Sequence, residues 1–309
     1  MLKSIYIPNW KLPWQGVLTA AQLDALVGIN RFYYAFCQFN TDGSLKDVDA
    51  SAIKLFVQNA KSTVSGREVV LSFGGWGADF SGIKYHPTEA AGAAAWLVRE
   101  TGADGVDIDW EYPLDSDCES YQQFITSYRG LSDKLLTAAV AATPKQKLFN
   151  QFDTLNLMTY DFAGSWCSVS GHNTSIKQIK ESAESWLAAG FDAKRICVGI
   201  PFYGRRVEVA STAKNGLAQP VAAAGWWEEM TYSQISMLGG DHIQQWDSTA
   251  GAPYKWNLTQ QKFTTYTDKY VIKTVQEYAS ARGLQGMFAW CFGQDDSDYT
   301  LTKALATSV

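Results

Sequence analysis

An α/β architecture, a (β/α)8 TIM barrel with a small α+β insertion between its seventh and eighth strands, follows from three features of the 309-residue sequence. Short apolar runs rich in β-branched and aromatic residues alternate with longer stretches of helical pattern, and eight such units can be counted. A chain this long exceeds the size at which one hydrophobic core usually stops growing, unless it closes into an α/β barrel. A doubly wound sheet would carry a glycine-rich phosphate turn after its first strand, and the run from Asn9 to Trp14 is not one.

The first strand is expected over Ser4–Trp10, where Ile and Tyr recur, followed by a helix through Thr19–Val27. Arg31–Phe39, dense in Tyr and Phe, reads as the second strand. A helix over Ala50–Lys61 leads to the third strand, Glu68–Gly75, and the Ala-rich stretch Thr88–Thr101 has helical composition. The fourth strand lies within Asp104–Pro113. Tyr121–Leu131 is helical, Lys134–Ala142 is an apolar fifth strand and Asp153–Tyr160 the sixth. Only Thr143–Phe152 separates those two strands, too little for a helix with its loops, so that outer helix is expected to be truncated or missing. Ser175–Ala189 is a helix, Arg195–Pro201 the seventh strand, Asp268–Arg282 the last helix and Leu284–Phe292 the eighth strand. The stretch from Gly204 to about Tyr266 is too long for a structureless loop and holds strand-like segments of its own. Residues 1–203 and 267–309 are therefore expected to form the barrel, and 204–266 an α+β wall at one rim.

Composition narrows the function classes. A net charge of -5 with no basic run gives no electrostatic footprint for nucleic acid or an anionic membrane surface. No run of 18 apolar residues exists, so no membrane span is expected. Five Cys at wide, unpatterned spacing are neither a disulfide framework nor a zinc site, and three His without an HExxH pattern give no catalytic metal. No cofactor is expected. The chain opens directly on a strand, which fits either an extracellular protein whose leader has been removed or a cytoplasmic one. A monomer is the default expectation. The compositional outlier is aromatic content, with 12 Trp, 15 Tyr and 15 Phe. Many of these belong in a core, but sugar rings also stack on Trp through their apolar C–H faces.

The fourth strand carries the chemistry. Side chains alternate along a strand, so Asp107, Asp109 and Glu111 point one way and Val106, Ile108 and Trp110 the other. Alternate Cα atoms are roughly 6.5–7 Å apart, so the charges interact, and in a shielded place at least one acid keeps its proton near neutral pH. That yields a general acid. A calcium loop is the bland alternative, but such loops rarely place bulky apolar residues between their ligands. Barrel chemistry sits at the carboxyl ends of the strands. There the sequence places Trp10, Phe36 and Gln38, Gly74 to Trp76, Glu111 and Tyr112, Tyr160 and Asp161, Tyr203 and Arg205, and Trp290. Acids, tyrosines and tryptophans suit a neutral polyol polymer and lack the cationic clamp a phosphate ester needs.

Five ordered motifs resemble glycoside hydrolase family 18, and the resemblance covers nearly the whole chain. Ser72 to Gly75 resembles its S-x-G-G signature, and Asp104, Asp107, Asp109 and Glu111 match its D-x-x-D-x-D-x-E signature without departure. Met158 to Asp161 resembles its M-x-Y-D, the turn Gly199 to Gly204 looks like its seventh-strand turn, and Gly286 to Trp290 like its final strand. The inserted segment is similar to the α+β wall of its deeper-clefted subgroup. The resemblance implies a chitinase acting on chitin or chito-oligosaccharides, with the substrate's own N-acetyl group as nucleophile and retention of anomeric configuration.

On that resemblance Glu111 is the general acid and base, Asp109 holds the acetamido N–H, and Asp107 shares a proton with Asp109. Tyr160 meets the acetamido carbonyl, Asp161 binds sugar hydroxyls, and Trp290 floors the ring at the cleavage site. Asp104 falls off the acidic face and takes a structural role. The substrate-contacting set is completed by Trp76 and Trp166 on the leaving-group side, Met158, Tyr203 and Arg205, and by Tyr6, Phe36 and Trp10. Trp10 or Trp14 and Trp226 or Trp227 extend the cleft or are rim aromatics. Two other activities compete: an endo-β-N-acetylglucosaminidase acting on N-glycans, and a non-catalytic chitin-binding lectin, against which the presence of Glu111 argues.

Overall fold

The structure is a computed structural model that describes residues 1–13, 16–144 and 147–307. Eight parallel strands close into a barrel: β1 Leu2–Pro8, β2 Arg31–Phe39, β3 Glu68–Gly74, β4 Gly105–Asp109, β5 Leu135–Ala141, β6 Thr154–Met158, β7 Ile196–Pro201 and, last in the chain, β13 Gly286–Trp290. Each pairs with its sequence neighbour, and closure comes from β1 pairing both β2 and β13. The helices outside are α1 Ala20–Ala25, α2 Ala50–Lys61, α3 Ser81–Tyr85, α4 Pro87–Thr101, α5 Cys118–Leu131, α6 Ile176–Ala188, with α8 and α9 introduced below. Between β5 and β6 only a 3-10 turn, Lys147–Gln151, stands where an outer helix would be.

Local chemistry explains the helix bounds. Asp49 accepts from the Ser51 and Ala52 amides at the start of α2, and Ser175 accepts from the Gln178 amide at the start of α6. In α4, Pro opens the first turn and Gly102, with φ 74°, ends the helix in the left-handed region. The two faces of β4 then part as strand alternation requires. Val106, Ile108 and Trp110 join the apolar layer between barrel and helices, while Asp107 and Asp109 face the barrel interior. That interior is lined by Tyr6, Tyr33, Val70, Ala139, Met158 and Phe288, an aromatic and small-residue packing that leaves room for two acids.

After β7 the chain enters a second sheet of five antiparallel strands: β8 Tyr203–Glu208, β9 Glu228–Thr231, β10 His242–Asp247, β11 Ala252–Asn257 and β12 Lys262–Thr265, in the order β9-β8-β12-β11-β10. One short helix, α7 Tyr232–Ser236, follows β9. Its own core is Val207, Val209, Tyr254, Trp256 and Phe263. His172, in the loop after β6, ties the barrel to this sheet through Asp247 at 3.0 Å. Helix α8 Lys269–Ala281 returns the chain to the barrel, and α9 Thr300–Ala306 follows β13. Among the described residues no helix is long and apolar enough to cross a membrane.

Candidate active site

At the carboxyl ends of the strands lies a cleft of about 600 Å³. Asp109, Glu111, Met158, Tyr160, Asp161, Tyr203, Arg205, Trp290, Phe36, Trp76 and Trp166 all line it. The glycines of β3 and its turn let it form. Gly74 and Gly75 have φ of 122° and 95°, and a side chain on the first would run into the Asp109 backbone, on the second into the Phe36 ring. The Gly75 amide donates to the Asp109 carbonyl at 2.9 Å, fixing the end of β4 where the acids emerge.

Asp107 lies beneath the cleft, fully buried. Its Oδ2 accepts from Tyr6 Oη at 3.0 Å and Ser72 Oγ at 2.7 Å, and its Oδ1 from Thr137 Oγ1 at 2.6 Å. Burial pushes its carboxyl above the ordinary range, and those three hydroxyls and the charge of Arg31 pull the other way. Asp109 has no such help: its Oδ1 is buried without a hydrogen-bond partner. Burial, then the charges of Glu111 and Asp107, hold its carboxyl well above the usual value. Glu111 sits higher, beyond the end of β4. Burial first and Asp161 second raise it to about 7, against a hydrogen bond from Tyr112. The acids thus form a graded column: a carboxyl met by three hydroxyls at the base, one above it whose Oδ1 has no partner, and an acid poised near neutrality in the cleft.

Asp161 takes a positive φ of 60°, an uncommon conformation for a non-glycine residue, and its Oδ1 accepts from Tyr203 Oη and Arg205 Nη2, both at 2.6 Å. Arg205 in turn donates to Asn173 Oδ1 at 3.3 Å, approaches Glu229 at 3.7 Å and lies 4.9 Å above the Trp166 ring. Trp166 and Trp76 are 60% and 82% exposed, Trp166 with Arg205 against one face of its ring. The Trp290 ring stacks beside Phe36 at 5.6 Å.

Two expected substrate contacts are placed elsewhere. Tyr6 is 1% exposed and spends its hydroxyl on Asp107, so it supports the acid column from below and meets no ligand. Trp10 lies outside the cleft, in a neighbouring groove that shares Phe36 and runs along Tyr34, Gln38 and Asp49. Trp226 is 77% exposed and is not part of the cleft lining, Trp227 donates its indole N–H to the Cys167 carbonyl at 3.2 Å, and Trp14 lies outside the described residues. Asp104 binds the Val69 amide at 2.7 Å and Lys61 at 2.8 Å, linking β3 to the end of α2. Tyr112, placed at the end of the fourth strand by the sequence, also lines the cleft, and two lining residues had no sequence signal: Ser165 and Glu229. Glu229 arrives through the register of β9 on β8, which sets it opposite Arg205.

Comparison with known proteins bears on this arrangement. A family model described as glycosyl hydrolases family 18 matches residues 4–295. Chitinase A1 of Niallia circulans is 26% identical over 285 residues, 74% of this chain and 41% of that protein. The probable endochitinase of Caenorhabditis elegans is 28% identical over 354 residues, 96% of this chain and 56% of that protein. The chain spans about half the length of these curated relatives. Among solved structures, a family 18 N-acetylglucosaminidase from Paenibacillus barengoltzii superposes with a TM-score of 0.86 at 23% identity, covering 99% of this chain and 98% of that one. A class V chitinase from Nicotiana tobaccum gives 0.85 at 21% identity, over 99% and 97% of the two chains, and a mutant of it has been solved in complex with NAG4. At these identities the structural likeness establishes the fold.

Proposed function

This chain belongs to glycosyl hydrolases family 18, and from that premise we propose that it is a chitinase, hydrolysing β-1,4 bonds between N-acetylglucosamine units with retention of configuration. The observation that carries the reading is the Glu111 carboxyl, raised to about 7 inside a cleft whose adjacent Asp109 offers a buried oxygen with no partner. Glu111 protonates the glycosidic oxygen; a value near neutrality keeps it a proton donor without making it too weak an acid. The acetamido carbonyl of the substrate attacks C1, and its N–H satisfies the lone Asp109 Oδ1, which aligns the attack and turns it intramolecular. As Glu111 loses its proton, the charge it gains is shared with Asp109, and the two titrate as a pair. Glu111 then takes a proton from the water that opens the cyclic intermediate.

Other residues have supporting parts. Tyr160, pushed well above its ordinary range by burial and then Tyr203 and Asp109, stays a neutral donor for the developing charge on the carbonyl oxygen. Asp161 is fixed by Tyr203 and Arg205 where sugar hydroxyls would pass. Trp290 gives the apolar floor, and Trp76 and Trp166 stack sugars on the leaving side. In this reading residues 1–203 and 267–309 are the catalytic barrel and 204–266 a wall that deepens the cleft. A monomer is the proposed state, and a polymer too large to enter a cell favours an extracellular place of action.

The test is the product ladder from the hexamer of N-acetylglucosamine. Dimers and trimers retaining the β-anomer are expected, and an otherwise identical oligomer with free amines should not be cut. Release of single sugars only would instead assign the N-acetylglucosaminidase activity named for the Paenibacillus relative, cleavage confined to N-glycans the glycan-trimming activity, and binding without cleavage a lectin.

A further inference from the structure

The barrel interior holds a cation that the steps above leave unused. Arg31 opens β2 and is only 4% exposed, although its guanidinium is charged. Burying such a group is unfavourable unless hydrogen bonds and a counter-charge meet it. Its Nε donates to Glu68 Oε2 at 2.7 Å near the barrel floor. Its Nη1 donates inward, to Thr154 Oγ1 at 2.8 Å and Tyr33 Oη at 3.2 Å. The Tyr33 ring stacks on Tyr6 at 4.6 Å, and the Tyr6 hydroxyl, which accepts from Asn156 Nδ2 at 3.1 Å, donates to Asp107. A line of contacts thus runs from Arg31 to the base of the acid column, hydrogen-bonded at both ends and joined in the middle by the Tyr33–Tyr6 ring stack.

We infer that Arg31 is a positioning residue, whose buried guanidinium holds Asp107 as the anion beneath Asp109 and so keeps the mobile proton on the Asp109 and Glu111 pair. The inference rests on the reading of Glu111 as general acid. Both Asp107 oxygens receive hydroxyl hydrogens, an arrangement that favours a carboxylate over a carboxylic acid, while Asp109 Oδ1 receives none. Hydroxyls are neutral, however, and a formal negative charge in the barrel interior needs a positive one within reach. Facing Asp107 are Tyr6 of β1, Ser72 of β3, Asp109 of β4 and Thr137 of β5, with Tyr33 of β2, Cys197 of β7 and Tyr121 of α5 behind them. Burial keeps each of those phenols and the thiol neutral: Tyr33 and Cys197 are both pushed up to about 12 and Tyr121 well above its ordinary range. Arg31 is the cation of the set. Were Asp107 to take the proton, Asp109 would be left charged with no donor on its Oδ1, and Glu111 would face that anion.

Two substitutions test this with opposite signs. Arg31→Met removes the cation and should move protonation of the acid column to higher pH, by on the order of one pH unit, the size of shift a nearby opposite charge produces in a shielded site. Glu68→Gln removes the counter-charge, leaves Arg31 stronger as a cation and should move it to lower pH. Arg31→Lys should restore most of the wild-type value. The readouts are a 13C NMR titration of protein labelled at aspartate carboxyl carbons, with Asp107→Asn to assign the resonance, and the acid limb of kcat/KM on chito-oligosaccharides. Opposite shifts support the inference; no shift in either variant, or shifts of the same sign as a general loosening of packing would give, overturn it. Should Arg31→Met fail to fold, the sign found for Glu68→Gln decides alone. A chain that cuts no chito-oligosaccharide would refute the proposed activity, whereas the carboxyl titration would still decide the part of Arg31.

Discussion

Replacing Glu111 by Gln should end hydrolysis and yet stabilise the protein, and the gain should appear only on one side of a defined pH window. In the folded protein burial first and Asp161 second raise the Glu111 carboxyl from 4.5 to about 7. A raised folded value means that the native state prefers the protonated acid. Below about pH 4.5 the acid is neutral folded and unfolded alike, so Gln changes little. As pH climbs through 7 the wild type must ionise a carboxyl where charge is disfavoured, and stability is lost; the Gln variant is spared that loss. The interval from 4.5 to about 7 corresponds to at most about 3 kcal/mol at 1.36 kcal/mol per pH unit. Because the charge is shared with Asp109 and the side chain keeps some contact with water, about half of that is expected. Spread over the unfolding entropy of 309 residues, this is a rise in Tm of about 2–3 °C. Thermal unfolding of both proteins at pH 4, 5.5, 7 and 8.5 measures it. A gain independent of pH, or a loss above pH 7, would refute the account of why Glu111 is a proton donor near neutrality.

Three further outcomes follow from the same geometry. Asp161→Asn removes the second-ranked cause of the Glu111 shift, so the alkaline limb of kcat/KM on chitotetraose should fall by about one pH unit, and a limb that stays or rises contradicts it. Trp166→Ala removes a 60% exposed ring braced by Arg205, and KM for oligomers should rise about tenfold with kcat changed less, as measured by steady-state kinetics. Asp104→Ala should lower stability by about 1–2 kcal/mol in urea unfolding, since it frees the Val69 amide and Lys61, with the pH profile of activity unchanged.

Local patterns carried much of this in the sequence. Arg31–Phe39 and Ala50–Lys61 form as a strand and a helix over the very residues their composition marks, because aromatic content in the one and an Asp N-cap in the other act locally. Alternation in β4 correctly separated Asp107 and Asp109 from Val106 and Ile108. The strand nonetheless stops at Asp109, and Glu111 reaches the cleft from the turn beyond, where the Glu111–Tyr112 peptide is cis. Depth was not legible: alternation says that Tyr6 points into the barrel but not that Asp107 lies between it and any ligand. Trp10 was misplaced for a related reason, since the end of a strand fixes a rim position and not which of two adjoining grooves a side chain enters. Glu229 depends on its pairing with Arg205, 24 positions earlier, in an insertion with no periodic signature, and nothing local could announce it.

That pairing gives the inserted sheet an electrostatic part in addition to a steric one. Arg205 lies on β8, the first strand of the insertion, and Glu229 faces it from β9. Burial works against the Arg205 charge, but Asp161 and Tyr203 hold it above its ordinary value, so it stays a cation against the barrel's Asp161. Without it, Asp161 would press its full charge on Glu111. Arg205→Met should therefore move the alkaline limb of kcat/KM up, opposite to Asp161→Asn, and in the Arg205→Met, Asp161→Asn double variant the upward shift should vanish, because Arg205 acts on Glu111 only through Asp161. Additive shifts in that cycle would mean that Arg205 touches the acid by another route, and a downward shift in the single variant would mean that the wall supplies shape alone.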